Sequence, residues 1–110
     1  MKVIVAKYLT PVGFRALTIF PFVIIRSKEA LVDPHLIHHE RIHIQQQREL
    51  LFVFFFVWYG LEFLVRWMLL RDRMAAYRAI SFEREAYANE NDPHYLERRS
   101  LFSFVSYFKI

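Results

Sequence analysis

The sequence predicts an α+β domain in which a small N-terminal antiparallel sheet is followed by three or four helices. Three observations carry this. Residues 2–26 hold three short β-rich runs separated by turn residues. Asp33-Pro34 is a strong helix start, an acidic cap followed by proline at the first helical position. Asp72 to Glu90 is rich in Ala, Glu and Arg, which suit a helix interior. At 110 residues the chain makes one domain.

Taken in order, Val3 to Lys7 is the first β-rich run, and Thr10-Pro11-Val12-Gly13 carries turn residues. Ala16 to Phe20 and Phe22 to Arg26 are the second and third runs. Pro21 between them cannot donate to a ladder and marks an edge, a bulge or a break. Beyond Asp33-Pro34 no breaker appears until Gly60.

Leu50 to Leu70 reads LLFVFFFVWYGLEFLVRWMLL and is long enough to cross a bilayer, which takes roughly 20 apolar residues. Glu62 and Arg66 stand four apart inside it, where a helix pairs them. Charges in mid-span are costly. The segment is therefore expected to be a buried core helix, packed on the sheet and on the preceding helix, with membrane contact as the alternative. Asp72 to Glu90 reads as one or two helices, and Asn91-Asp92-Pro93 repeats the start signal ahead of residues 94–99.

The chain has no cysteine, which excludes disulfides and thiolate zinc sites, so a metal would have to be held by His, Asp or Glu. Hydrophobic residues make up 55% of it, with 12 Phe, so either the core is aromatic or some surface meets lipid or a partner. The net charge of +4, with Arg clustered between Arg66 and Arg99, weakly favours an anionic partner. No recognition motif surrounds these basic residues, and nucleic acid is not an expected partner. The apolar run Val3 to Ala6 is short and followed by Lys7, unlike a signal peptide. The expectation is a cytoplasmic protein, with Leu50 to Leu70 offering contact to the inner face of the cell membrane.

The chemistry lies in His38-His39-Glu40-Arg41-Ile42-His43. His39-Glu40-x-x-His43 is an HExxH motif placed just after the helix start. Residues four apart share a helix face, so both imidazoles can aim at one zinc ion. Glu40 directly follows the first histidine, where its carboxylate reaches a metal-activated water. Zinc lowers the pKa of that water, and Glu40 takes its proton and passes it to the leaving group. A third ligand must come from another element. Glu83 is preferred to Glu85, because Ala86 shares its helix face and a small residue there lets that helix approach the metal helix.

HExxH followed downstream by Glu83-Arg84-Glu85-Ala86 resembles the gluzincin zinc metallopeptidases, especially the HtpX and CAAX-prenyl-protease type and the small minigluzincins. The resemblance covers about residues 33 to 90. It implies a zincin-like fold, His39, His43 and Glu83 as zinc ligands, Glu40 as general base, and a peptide or protein substrate. It also implies substrate pairing along a sheet edge, for which Phe22 to Arg26 is one candidate.

The sequence departs from the family at Arg41, where an uncharged residue is usual, and at Tyr87, which replaces the Asp of an ExxxD motif. That Asp orients a ligand histidine. Tyr87 could instead hydrogen-bond a ligand or the developing oxyanion, and His94 could polarise the oxyanion as a His or Tyr does in this clan. His35 and Gln46 lie on the His39–His43 stripe and are candidate supports, whereas His38 points off it. The aromatic tail, Leu101 to Ile110, is long enough to cover a cleft.

Overall fold

The computed structural model describes residues 2–11 and 13–108. Val12 of the predicted turn, and Lys109 and Ile110 at the end of the aromatic tail, lie outside them.

Three strands, β1 (Lys2–Val5), β2 (Ala16–Ile19) and β3 (Phe22–Ile25), form one sheet in the order β1-β3-β2. β2 and β3 make an antiparallel hairpin with Ala16 opposite Ile25 and Ile19 opposite Phe22. Pro21 sits in the turn between them, outside the ladder, and the Phe20–Pro21 bond is cis. β1 pairs with β3 in parallel, Lys2 opposite Phe22 and Val5 opposite Ile25.

The sheet is therefore mixed rather than antiparallel throughout, and β3 is its centre. Phe22 to Arg26 is not an edge, and the edges are β1 and β2. Burial explains the order. Val23, Ile24 and Ile25 are apolar on both faces and buried, which suits a central strand, while every residue of β1 is exposed.

The helices follow, five in number among the described residues. The helix α1 (Pro34–Glu49) is capped as its sequence predicts, Asp33 accepting hydrogen bonds from the N–H groups of His35 at 3.1 Å and Leu36 at 3.2 Å. It ends well before Gly60. Leu51 takes φ +54°, its N–H donates to Arg48 O, and the N–H of Phe52 donates to Gln47 O at 2.7 Å. This is a Schellman stop built without glycine.

Next come α2 (Val53–Leu70), α3 (Arg73–Ala79), α4 (Ser81–Asn89) and α5 (Tyr95–Arg98). The break between α3 and α4 has no proline or glycine. The N–H of Ser81 donates instead to Glu62 on α2 at 2.8 Å, so a tertiary bond replaces the helical one. A 3-10 turn (Ser103–Tyr107) ends the described chain by packing on α4.

The core is divided among three small clusters. Phe55, Ile80, Phe82 and Phe104 form the aromatic one, Val23, Ile25 and Ala30 hold the sheet to the α1 entry, and Ile42, Ala86 and Tyr95 join α1, α4 and α5. Ala86 is fully buried in that last cluster, the close helix approach that a small residue there permits.

The helix α2 departs from expectation. Only its stripe of Phe55, Glu62 and Arg66 is buried, while Phe54, Leu61 and Met68 are more than half exposed. It is an inverted amphipathic helix. Its charges face the protein, where Glu62 accepts hydrogen bonds from Ser81 and from the Trp58 indole at 2.9 Å, with Arg66 3.8 Å away.

Candidate metal centre

The helical repeat of α1 places His39 and His43 one turn apart on the buried face turned toward α4. Their Nε2 atoms are 3.2 Å apart. Oε1 of Glu83, from the first turn of α4, lies 3.1 Å from the first and 3.0 Å from the second. Three potential ligand atoms thus form a nearly equilateral triangle, buried on every side chain. Zinc bonds of about 2.0–2.1 Å in a tetrahedron space their ligands about 3.3–3.4 Å apart, so the triangle needs to open by only a few tenths of an ångström to hold an ion. The donor set of two imidazoles and one carboxylate suits zinc, and other first-row divalent ions as well.

The outer partners fix which nitrogen faces the centre. Nδ1 of His39 lies 2.9 Å from Oε1 of Glu90, and Nδ1 of His43 lies 2.7 Å from Oε1 of Gln46. With Nδ1–H donating in both rings, both Nε2 lone pairs are available to the same point. Gln46 is itself oriented, its amide donating to Phe82 O at 3.1 Å and to Glu85 at 2.9 Å.

Glu85 is fully buried and also accepts from the Tyr95 hydroxyl at 2.7 Å and from Arg99. It is therefore a support for His43 through Gln46 and stands outside the ligand triangle. Glu83 receives one further bond, from the Tyr59 hydroxyl to Oε2 at 2.7 Å, which leaves Oε1 for the centre.

Electrostatics match this arrangement. Burial opposes charge on His43, but the carboxylate of Glu83, its hydrogen bond and nearby Glu40 outweigh it and raise the imidazole's pKa to about 9. Burial likewise opposes charge on Glu83, yet His43 and His39 hold its carboxyl well below the usual range. In the metal-free protein a proton on His43 stands where a cation would.

Glu40 is buried and accepts from the Thr18 hydroxyl of β2. Together with His43 and Glu83 it lines a cleft of about 310 Å³, walled mostly by apolar side chains such as Phe14, Leu17 and Phe55, with Gln47, Arg73 and the Tyr77 hydroxyl among its polar groups. Burial, and then the charge of Glu83, push the Tyr77 and Tyr59 hydroxyls far above their ordinary pKa, so both stay protonated.

Tyr87 and His94 do not take their expected places. The Tyr87 ring meets His39 edge-on at 4.5 Å, but its hydroxyl pairs with that of Tyr77 at 3.2 Å rather than with a ligand atom. The carboxylate that orients His39 is Glu90, two helical turns beyond Glu83, where α4 ends. His94 is solvent-exposed, 3.4 Å from Glu97, and does not line the cleft. It sits after the loop at the far end of α4, which carries it out to solvent.

His35 reaches the Glu90 carbonyl at 3.4 Å from an exposed position. No described residue of the aromatic tail lines the cleft, because Phe104 is anchored in the core. Sequence reasoning missed Glu90, Tyr59, Thr18 and Tyr77. Only Glu90 carried a signal, its spacing of two turns from Glu83.

No protein-family model matches the chain, and no curated protein or solved structure matches it significantly.

Proposed function

We propose that the chain is a zinc-dependent peptidase, with His39, His43 and Glu83 as ligands and Glu40 as general base. The observation that carries this reading is the convergence of two Nε2 atoms and Glu83 Oε1 within 3.2 Å of one another, beside a cleft that Glu40 also lines. A zinc ion held there supplies Lewis acidity and lowers the pKa of a water.

The remaining work falls to the chain's own groups. Glu40 takes the water's proton and delivers it to the leaving amine. Thr18 holds that carboxylate toward the sheet side of the cleft. The protonated Tyr77 hydroxyl, on the cleft wall, is the donor to the developing oxyanion, the role first considered for Tyr87 and His94.

The edge strand β2 supplies the substrate rail. In an antiparallel pair, alternate residues turn both backbone groups to the same side. Arg15 bonds β3 through Arg26, so Ala16, Thr18 and Phe20 face outward. Gln47 occupies the far end of that edge, accepting from Phe20 N–H at 2.6 Å and donating to Thr18 O at 2.8 Å. The backbone of Ala16 and the N–H of Thr18 are left to pair with an extended peptide.

The Thr18–Glu40 bond also favours a second reading, a zinc-stabilised binding module whose base is tethered. One experiment separates the two: metal content and peptide hydrolysis of wild type, His43→Ala, Glu83→Ala and Glu40→Gln. We expect about one zinc per chain in wild type and Glu40→Gln, loss in the two ligand variants, and a fall in hydrolysis of about 10²-fold or more in Glu40→Gln. Zinc without hydrolysis selects the binding module, and unchanged zinc in both ligand variants rejects both readings.

A further inference from the structure

We propose that α2 docks the protein on an anionic membrane surface, lying in the plane of the interface rather than spanning the bilayer. The argument is independent of the metal centre. Along α2, Phe54, Val57, Leu61, Leu64, Val65 and Met68 repeat at three- and four-residue spacing, and all are more than half exposed. Phe108 extends this surface, walling with it an apolar groove of about 480 Å³. An uncharged face of this extent is unusual on a free surface and marks an interaction site.

The placement of charge identifies the occupant. The two charged residues within α2, Glu62 and Arg66, are both buried against the protein. Exposed charges appear only beyond the helix ends, at Arg48 before it and at Arg71, Asp72 and Arg73 after it, a net basic flank in which Asp72 caps α3. Basic residues beside an uncharged apolar stripe, on a chain of net charge +4, complement acidic headgroups above an acyl layer.

The depth follows from the fold. The helix is 18 residues long, about 27 Å at 1.5 Å per residue, close to the thickness of a bilayer core. Its other face, however, is packed on α3 and bonded through Glu62 to Ser81 at the start of α4. A spanning position would draw those elements, with the exposed Arg73 and Arg78 of α3, into hydrocarbon. Lying flat buries the stripe alone. Phe55, Tyr59 and Phe63 line the cleft from the opposite face of the same helix, so docking through the stripe leaves the cleft turned away from the lipid.

Both tryptophans of the chain, Trp58 and Trp67, lie on α2 and are native probes. The full chain is mixed with vesicles of phosphatidylcholine, with and without phosphatidylglycerol, some carrying brominated acyl chains. Expected are co-sedimentation strengthened by phosphatidylglycerol, and tryptophan quenching strongest for bromines near the headgroups. Leu61→Glu with Val65→Glu weakens partitioning at least about tenfold, while metal content stays at the wild-type level. Failure to sediment with either vesicle, undiminished binding of the double variant, or strongest quenching at mid-bilayer overturns the proposal. So does a vesicle-free oligomer that the double variant converts to monomer, which would make a second copy the occupant. Where the double variant does not fold, the quenching profile of the wild type decides.

Discussion

Nδ1 of His39 lies 2.9 Å from the carboxylate of Glu90, a residue on the same helix as Glu83 and two turns further on. One helix thus presents a ligand carboxylate to Nε2 and an orienting carboxylate to Nδ1 of the same imidazole. The tautomer and ring position of His39 depend on that second contact. Glu90→Ala should therefore weaken zinc affinity about 10–100-fold without changing the helix content. Competition with a chromophoric chelator measures the first and circular dichroism the second, and unaltered affinity would show that Glu90 does not orient the ligand.

The pH dependence follows from the paired shifts of His43 and Glu83. The folded pKa of His43 is raised from 6.5 to about 9, so its stabilising effect is complete below about 6.5 and is lost as pH rises through about 9. Glu83 is depressed below its ordinary 4.5, so its contribution is present above that value and fades as pH falls below it. Metal-free protein should be most resistant to urea between about pH 4.5 and 6.5. Zinc must displace the His43 proton, so its apparent affinity should climb about tenfold per pH unit until pH 9. A flat profile from pH 6 to 9 would contradict the His43–Glu83 coupling.

The Arg99 guanidinium closes a buried network, pairing with Glu85 and Glu49 where all three side chains are almost fully covered. Breaking it strands two buried carboxylates. Arg99→Met should cost about 3–5 kcal/mol in chemical denaturation. Because Glu85 orients Gln46 and Gln46 orients His43, the same change should lower metal affinity. Gln46→Ala tests the second half alone, with a smaller loss of stability than Arg99→Met.

Leu51 holds a left-handed backbone, φ +54°, and is 74% exposed. The strain of that conformation is about 1–2 kcal/mol for a residue with a Cβ, and little burial is lost on truncation. Leu51→Gly should raise the unfolding free energy by up to about 1 kcal/mol after glycine's entropic cost. A destabilised variant would show that Leu51 contributes more than a turn.

Local chemistry decided a large part of the molecule in advance. The α+β class, the start of α1 at Asp33-Pro34, the shared face of His39 and His43, and the close approach at Ala86 all follow from cap residues, helical period and side-chain size, which act within a few residues. Tertiary structure alone decided the rest. The placement of β3 at the sheet centre, the helix stop at Ile80, and the burial of Glu62 and Arg66 each depend on groups distant in sequence. The same holds for the shell of Glu90, Tyr59 and Thr18 around the candidate centre. Hydrogen bonds between distant residues leave no periodic trace, because they are set by where whole elements pack rather than by the repeat of any one of them.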